Sequence, residues 1–354
     1  MSQLTVVLPF ALPAPEFAKE LARSLNTPAL AALLSRTSSH TVHPYDFAVR
    51  ALPHEVWLAR ELGLEQAGQP AFAAAAMRGF GLDPREGTWF IVSPAHIEIA
   101  RSHLMMPDLR HLQLSEAESR ALFDAAVPYA EESGHHLAYG DAHTWFLRAD
   151  SWAGMDTATP DTAVGMNLTD YMPAGPHALA YRKLQNEIQM LWYTDAVNAA
   201  RESRRQPPVN AFWLWSGATT VLNTVVPAQA GTHAESPKSG SGPFIATFET
   251  TSWLKALGTR NLASPSEVLN ITGNSLLICG NAAAPAIAAD WSGWLHEMQR
   301  FEADLFVPLL AALSQGRIKQ LKLVLSNRTA HTETTTTALA QRKFWRRPTL
   351  ERLL

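Results

Sequence analysis

The chain has 354 residues, 47% hydrophobic and 17% charged, which excludes a disordered polymer and suits one large or two medium α/β domains. A formal net charge of −3 leaves no bulk attraction to nucleic acid or to an anionic membrane surface. The single cysteine, Cys279, excludes an intramolecular disulfide framework and a cysteine-rich metal centre, and fits a reducing, cytoplasmic setting.

The run "LTVVLPFAL" (Leu4–Leu12) follows no positively charged segment and reads as a buried first strand ended by prolines. Helical patterns follow from Pro15 to Ser35, restarting at Thr27-Pro28, and again over Pro53–Leu64 and Ala71–Met77. Thr88–Ile99 is expected to be extended. Ser115 and Glu118 form a capping box that opens a helix to Ser133. His135–Asp150 reads as two strands around a Gly-Asp turn. Leu184, Ile188, Leu191 and Trp192 mark one stripe of a helix expected to end near Arg205, because Pro207-Pro208 cannot continue it. Asn210–Trp215 is then a strand. Val226–Pro243 has no apolar period and reads as a flexible loop, and its "VPAQAGTH" resembles translated bacterial repeat elements. Beyond it come a strand (Phe244–Phe248), a helix (Ser252–Leu257) and a strand (Ser275–Cys279) whose cysteine reads as a buried structural thiol. A long amphipathic helix buries Trp291, Trp294, Met298, Phe301 and Leu305, with a kink expected at Pro308 and a cap at Gly316. Ile318–Ser326 is the last expected strand. The tail Arg342–Arg352 reads as a segment pinned by Phe344 and Trp345 with its charges in water. No apolar run approaches membrane-spanning length.

Residues 78–217 resemble the archaeal-type cofactor-independent phosphoglycerate mutases of the alkaline phosphatase superfamily. "HLQLSEAESRALFDAA" resembles their Gly-Arg-Ile-then-helix segment, "GDAHTWFLRAD" their Tyr-Arg strand, and "PDTAVGMNLTDYMPAGPHA" their Pro-His-Asp run and the turn after it. "AVNAAR", "PPVN" and "FWLWSG" (Ala196–Gly217) resemble the family's His-Pro-Val-Asn-x-x-Arg motif, its Pro-Ala-Asn, and the strand that follows. Thr27–Arg36 and Ala73–Phe90 resemble earlier family segments, and the whole chain is similar to the bacterial RpfE-type regulatory proteins. The resemblance implies an α/β fold. Its alkaline-phosphatase-like core sheet with flanking helices comes from residues 1–85 and 211–354, and a smaller α+β domain, residues 86–210, is inserted.

The resemblance also implies a phosphoryl-accepting serine and two divalent metals, and here the chain departs from it. The first strand runs into Pro9-Phe10-Ala11-Leu12 where the family has a metal-binding Asp-Gly. Pro53-His54-Glu55-Val56 stands at the nucleophile segment and holds no serine. Residues 244–326 contain one histidine, His296, where the family supplies several metal ligands. No catalytic residue, metal ligand or cofactor is therefore expected. The expected function is that of a cytosolic ligand-binding or regulatory pseudoenzyme. Its competitors are an active phosphoryl-transfer enzyme or hydrolase with a relocated site, and a nucleic-acid-binding regulator that uses the basic tail. The one candidate ligand site is Asn198, Arg201, Arg205 and Asn210. They read either as a grip for a phosphate or carboxylate or as a helix end running into a turn. His135, His136, Asp141 and His143 are zinc-type residues on alternating strand faces. His54 and Glu55 are an acid–base pair whose side chains diverge by about 100° on a helix.

Overall fold

The computed structural model describes residues 3–45, 50–100, 103–221 and 243–354. The first part of the chain forms β1 (Gln3–Leu8), α1 (Ala18–Ser24), α2 (Pro28–Ser35), β2 (Ser39–Pro44), α3 (Pro53–Glu61), a small hairpin of β3 (Glu65–Gln66) and β4 (Gln69–Pro70), and α4 (Ala73–Gly79). The middle forms β5 (Gly87–Ala95), a hairpin of β6 (Glu98–Ala100) and β7 (His103–Met105), α5 (Glu116–Glu132), β8 (His136–Asp141), β9 (Thr144–Arg148), α6 (Pro160–Ala163), α7 (Ala178–Tyr193), α8 (Ala196–Ser203) and β10 (Ala211–Thr220). The last part forms β11 (Phe244–Phe248), α9 (Ser252–Leu257), β12 (Arg260–Asn261), β13 (Ser275–Cys279), α10 (Ala283–Ile287), α11 (Trp291–Phe301), α12 (Val307–Ser314), β14 (Gln320–Ser326), β15 (Ala330–Thr337) and α13 (Ala338–Gln341).

The fold is α/β. A seven-stranded mixed sheet runs in the order β12-β11-β13-β1-β14-β15-β2, with β15 antiparallel to both neighbours and the strands from β12 to β14 parallel. β1 lies inside the sheet and is covered on both faces, which explains its uninterrupted apolar run. Leu4, Val6 and Leu8 join Leu30, Leu33, Trp294 and Met298 in one core, whereas Val7 joins Trp57, Phe72 and Trp253 in another. That second core also takes Trp213 and Trp215 from an antiparallel sheet ordered β10-β5-β9-β8. The far face of the smaller sheet packs on α5 and α7 through Phe90, Leu122, Leu184 and Trp192.

Several expectations change in the fold. β10 is hydrogen-bonded to β5, so a domain boundary at residue 210 would cut the smaller sheet; the pairing carries 211–220 with the middle of the chain. The helix expected to reach Arg205 breaks at Thr194, because Asp195 Oδ1 accepts the Val197 N–H and starts α8 as a new helix. Pro308 sits at the start of α12, which runs on from α11 through a helical turn of altered register. A π-helical turn, Glu302–Phe306, precedes it and carries Glu302, whose carboxylate accepts the Ala29 and Leu30 N–H groups at 2.6 and 3.1 Å and so caps α2. The tail reverses its expected roles. Phe344 and Trp345 are 82% and 68% exposed, while Lys343, Arg346 and Arg352 donate to the carbonyls of Thr37, Ser35 and Leu34 at the C-terminus of α2. Cys279 is fully buried, and burial pushes its thiol well above the ordinary range. The loop expected over 226–243 lies, up to residue 242, outside the described residues. Among the described residues no helix is long and apolar enough to cross a membrane.

Candidate functional site

The four residues that read as an anion grip or as a helix end lie on α8 and in the turn from it to β10. Arg201 is completely buried. Its Nη1 donates to Glu118 at 3.0 Å, its Nη2 to the Leu112 carbonyl and its Nε to the Pro207 carbonyl at 2.9 Å. Asn198 donates to the Trp192 and Val209 carbonyls and accepts the Val209 N–H, each at 2.8 Å. Asn210 exchanges two bonds with the backbone of Ile97 at 2.7 and 2.8 Å, as a strand partner would. Arg205 is exposed and adopts φ +58°, the left-handed position of a Schellman end: its N–H bonds the Glu202 carbonyl, and the Gln206 N–H bonds that of Arg201. The donors of Asn198, Arg201 and Asn210 are spent on the protein, so the motif holds α7, α8 and β10 together.

The cleft that could take a ligand lies between the two sheets. A cavity of about 380 Å³ is lined by Glu55, Arg110, Asp161, Thr250, Thr251 and Trp253, and a smaller one of about 150 Å³ shares those six residues and adds Pro9 and His54. Pro9 follows β1, Thr250 and Thr251 follow β11, and Glu55 stands in the first turn of α3. The site therefore sits beyond the carboxyl ends of the parallel strands, where their fanning backbones leave a crevice. Thr144 Oγ1 and Ser252 Oγ, 2.8 Å apart, tie the smaller sheet to the start of α9 at its rim.

A half-buried ionic cluster lines the cleft. Arg110 makes a two-pronged contact with Asp161 at 2.6 and 3.0 Å and a third bond to Asp108 at 2.9 Å. Burial alone would lower the guanidinium; the two carboxylates outweigh it and hold Arg110 above its ordinary value. Burial pushes Asp161 up, but Arg110 outweighs that and keeps it ionised below the usual carboxylate range. Arg328 closes the cluster by donating to the carbonyls of Asp161, Thr162 and Val164.

Glu55 behaves in the opposite way. Burial, reinforced by the charge of Asp161, pushes its carboxyl up to about 8 despite bonds from Thr159 and Leu52. Its Oε2 lies 2.7 Å from the Leu52 N–H, which it accepts, and 2.6 Å from the Thr159 hydroxyl. The site thus presents a neutral carboxylic acid beside a fixed ion pair. The hydroxyl oxygens of Thr250 and Thr251 are buried and have no hydrogen-bond partner among the described residues. His54 turns away from Glu55: its Nδ1 lies 3.2 Å from Ser326 Oγ, and burial pulls the imidazole down to about 4. Ser326 is fully buried and its hydroxyl takes the Phe10 N–H, so this Ser–His pair is part of the packing and not a nucleophile with its base.

The histidines of the β8–β9 region do not converge. His135 lies against Trp152, His136 meets Trp89 edge-on, and Asp141 and His143 line the larger cavity. Sequence reasoning missed Arg110, Thr250 and Thr251. The Arg110–Asp161 pair spans 51 positions, and neither residue carries a local signal for the other.

A scan of protein-family models and a search of curated proteins found no match to the chain. Among solved structures, the PH0037 protein from Pyrococcus horikoshii is similar with a TM-score of 0.53 and 12% identity, over 95% of this chain and 87% of that one. A cofactor-independent phosphoglycerate mutase from Thermoplasma acidophilum gives a TM-score of 0.44 and 14% identity, over 95% of this chain and 89% of its own. The first likeness shows a shared fold.

Proposed function

We propose that this chain is a degenerate relative of the cofactor-independent phosphoglycerate mutases that binds a small phosphate or carboxylate in the inter-sheet cleft without transferring a phosphoryl group. The observation that carries the reading is Glu55. The sequence resemblance puts the nucleophilic serine at the start of α3, and there the chain buries a carboxylic acid held neutral. A neutral acid donates a hydrogen bond to an anion, but it does not attack phosphorus.

The family's two metals do not fit the residues at the strand ends. Pro9 and Phe10 follow β1, Asp161 is committed to Arg110, and Glu249 pairs with Arg300 at 3.4 Å. Among the described residues, the single group of three metal-type ligands lies elsewhere, on β2 and β15. What remains suits an anion: unpartnered threonine hydroxyls, the Glu55 proton, and the Lys255 ammonium on the cavity wall. The basic tail favours no nucleic-acid reading, since Lys343, Arg346 and Arg352 already bond α2.

The test is thermal melting with 3-phosphoglycerate as probe. The wild-type protein is expected to melt at a higher temperature as ligand is added. The triple variant Thr250→Val, Thr251→Val, Lys255→Ala is expected to fold and to lose that response. An equal response in the variant, or none in the wild type with either a phosphate or a carboxylate probe, would overturn the reading.

A further inference from the structure

The edge of the large sheet carries a second constellation, made of residues that do not line the two cleft cavities. His331 on β15 stands directly opposite His43 on β2 in the antiparallel ladder, so both side chains leave the same face. Glu333 lies two residues along β15 and shares that face. The imidazole rings stack with centroids 4.6 Å apart and 15° between planes. His43 Nε2 lies 3.4 Å from Glu333 Oε1, and His331 Nε2 lies 3.9 Å from the same oxygen. One ligand atom from each residue falls within 4.8 Å of the other two.

We propose that His43, His331 and Glu333 form a binding site for one divalent transition-metal ion of the zinc class. A tetrahedral ion with bonds of about 2.0–2.1 Å separates its ligand atoms by about 3.3–3.4 Å. The two recorded separations are at, or within a small side-chain adjustment of, that value. Two imidazoles and a carboxylate are the donors that zinc prefers over magnesium or calcium. The other carboxylate oxygen, Oε2, lies 3.2 Å from Lys322 Nζ on β14, which orients the group so that Oε1 faces the imidazoles. Arg60 of α3, a cation near this face, is paired with Glu65 at 3.1 Å. Two hydrogen-bonded strands therefore carry the ligands and a third orients the carboxylate, as a preorganised site requires. Three protein ligands leave a fourth position open. The His43 side chain is 43% exposed, so that position faces solvent and takes water. The ion would clamp the outermost strand, β2, to β15.

The test uses the full chain, stripped with a chelator and titrated with Co²⁺ as a spectroscopic substitute. The expected result is one ion per chain with the intense visible absorption of four- or five-coordinate cobalt, and a raised melting temperature on adding Zn²⁺. His43→Ala and Glu333→Gln are each expected to weaken binding by at least about tenfold, while His136→Ala leaves it unchanged. His43 sits on an exposed edge, so its variant is expected to keep the wild-type circular dichroism. Failure to bind a stoichiometric ion, a weak octahedral spectrum, or unchanged affinity in both ligand variants would overturn the proposal.

Discussion

Replacing Arg201 by alanine is expected to lower the unfolding free energy by about 3–5 kcal/mol, the usual cost of removing one partner from a buried ion pair. The guanidinium is entirely buried, and its loss strands the Leu112 and Pro207 carbonyls together with one side of Glu118. Glu118 also closes the capping box at Ser115 and meets Arg204, so the start of α5 loosens with it. Arg205→Ala, four residues on and exposed, is expected to change stability by less than about 0.5 kcal/mol. Urea denaturation of both variants distinguishes a structural role from a ligand grip. A grip would show the reverse: Arg201→Ala near wild-type stability, with affinity for phosphate lost in both variants.

Stability should fall as pH rises from 6.5 to 8. The Glu55 carboxyl has an ordinary value of 4.5 and is pushed up to about 8 in the fold. Its favourable contribution is complete below 4.5, declines between the two values and is gone above 8. His54 and His331 run the other way: burial pulls both from 6.5 to about 4, so each adds stability as pH rises through that window and nothing more above it. Below 6.5 the two histidines outweigh the one carboxyl and stability rises with pH. Beyond it the Glu55 titration dominates and stability falls, by on the order of 1 kcal/mol over 6.5 to 8. Glu55→Gln keeps an acceptor for Leu52 and Thr159 and removes the titration, so its profile should be flat across that window. Denaturation in a chelating buffer, which keeps metal off His331, checks both curves. An equal slope in wild type and variant would mean that Glu55 is ionised throughout.

How much was readable from the chain follows from where each element is buried. Phe244–Phe248 and Ser275–Cys279 are parallel strands inside the large sheet, and their mostly apolar runs mark them. The Ser115–Glu118 capping box fixes the start of α5 because both of its bonds are local. β2 and β15 escaped notice because their side chains are threonine and histidine, although Thr332, Thr334 and Thr336 alternate inward with a strand's period of two. The metal-type cluster escaped with them. His331 and Glu333 carry the i, i+2 spacing of one strand face, but only the register with β2 brings in His43. In the cleft, the divergence of His54 from Glu55 was visible from helix geometry. Their partners, Ser326 and Thr159, were not, because both contacts are tertiary. The helix-end reading of Arg201 was available beside the anion reading. Choosing between them needed Glu118, 83 residues away.

The most direct measurement is phosphorus NMR of 3-phosphoglycerate incubated with the purified chain and excess Mn²⁺. The expected result is saturable binding with no appearance of the 2-phospho isomer and no release of phosphate. Interconversion or hydrolysis that persists through purification and disappears in Glu55→Gln would contradict the non-catalytic reading and make the cleft an active site.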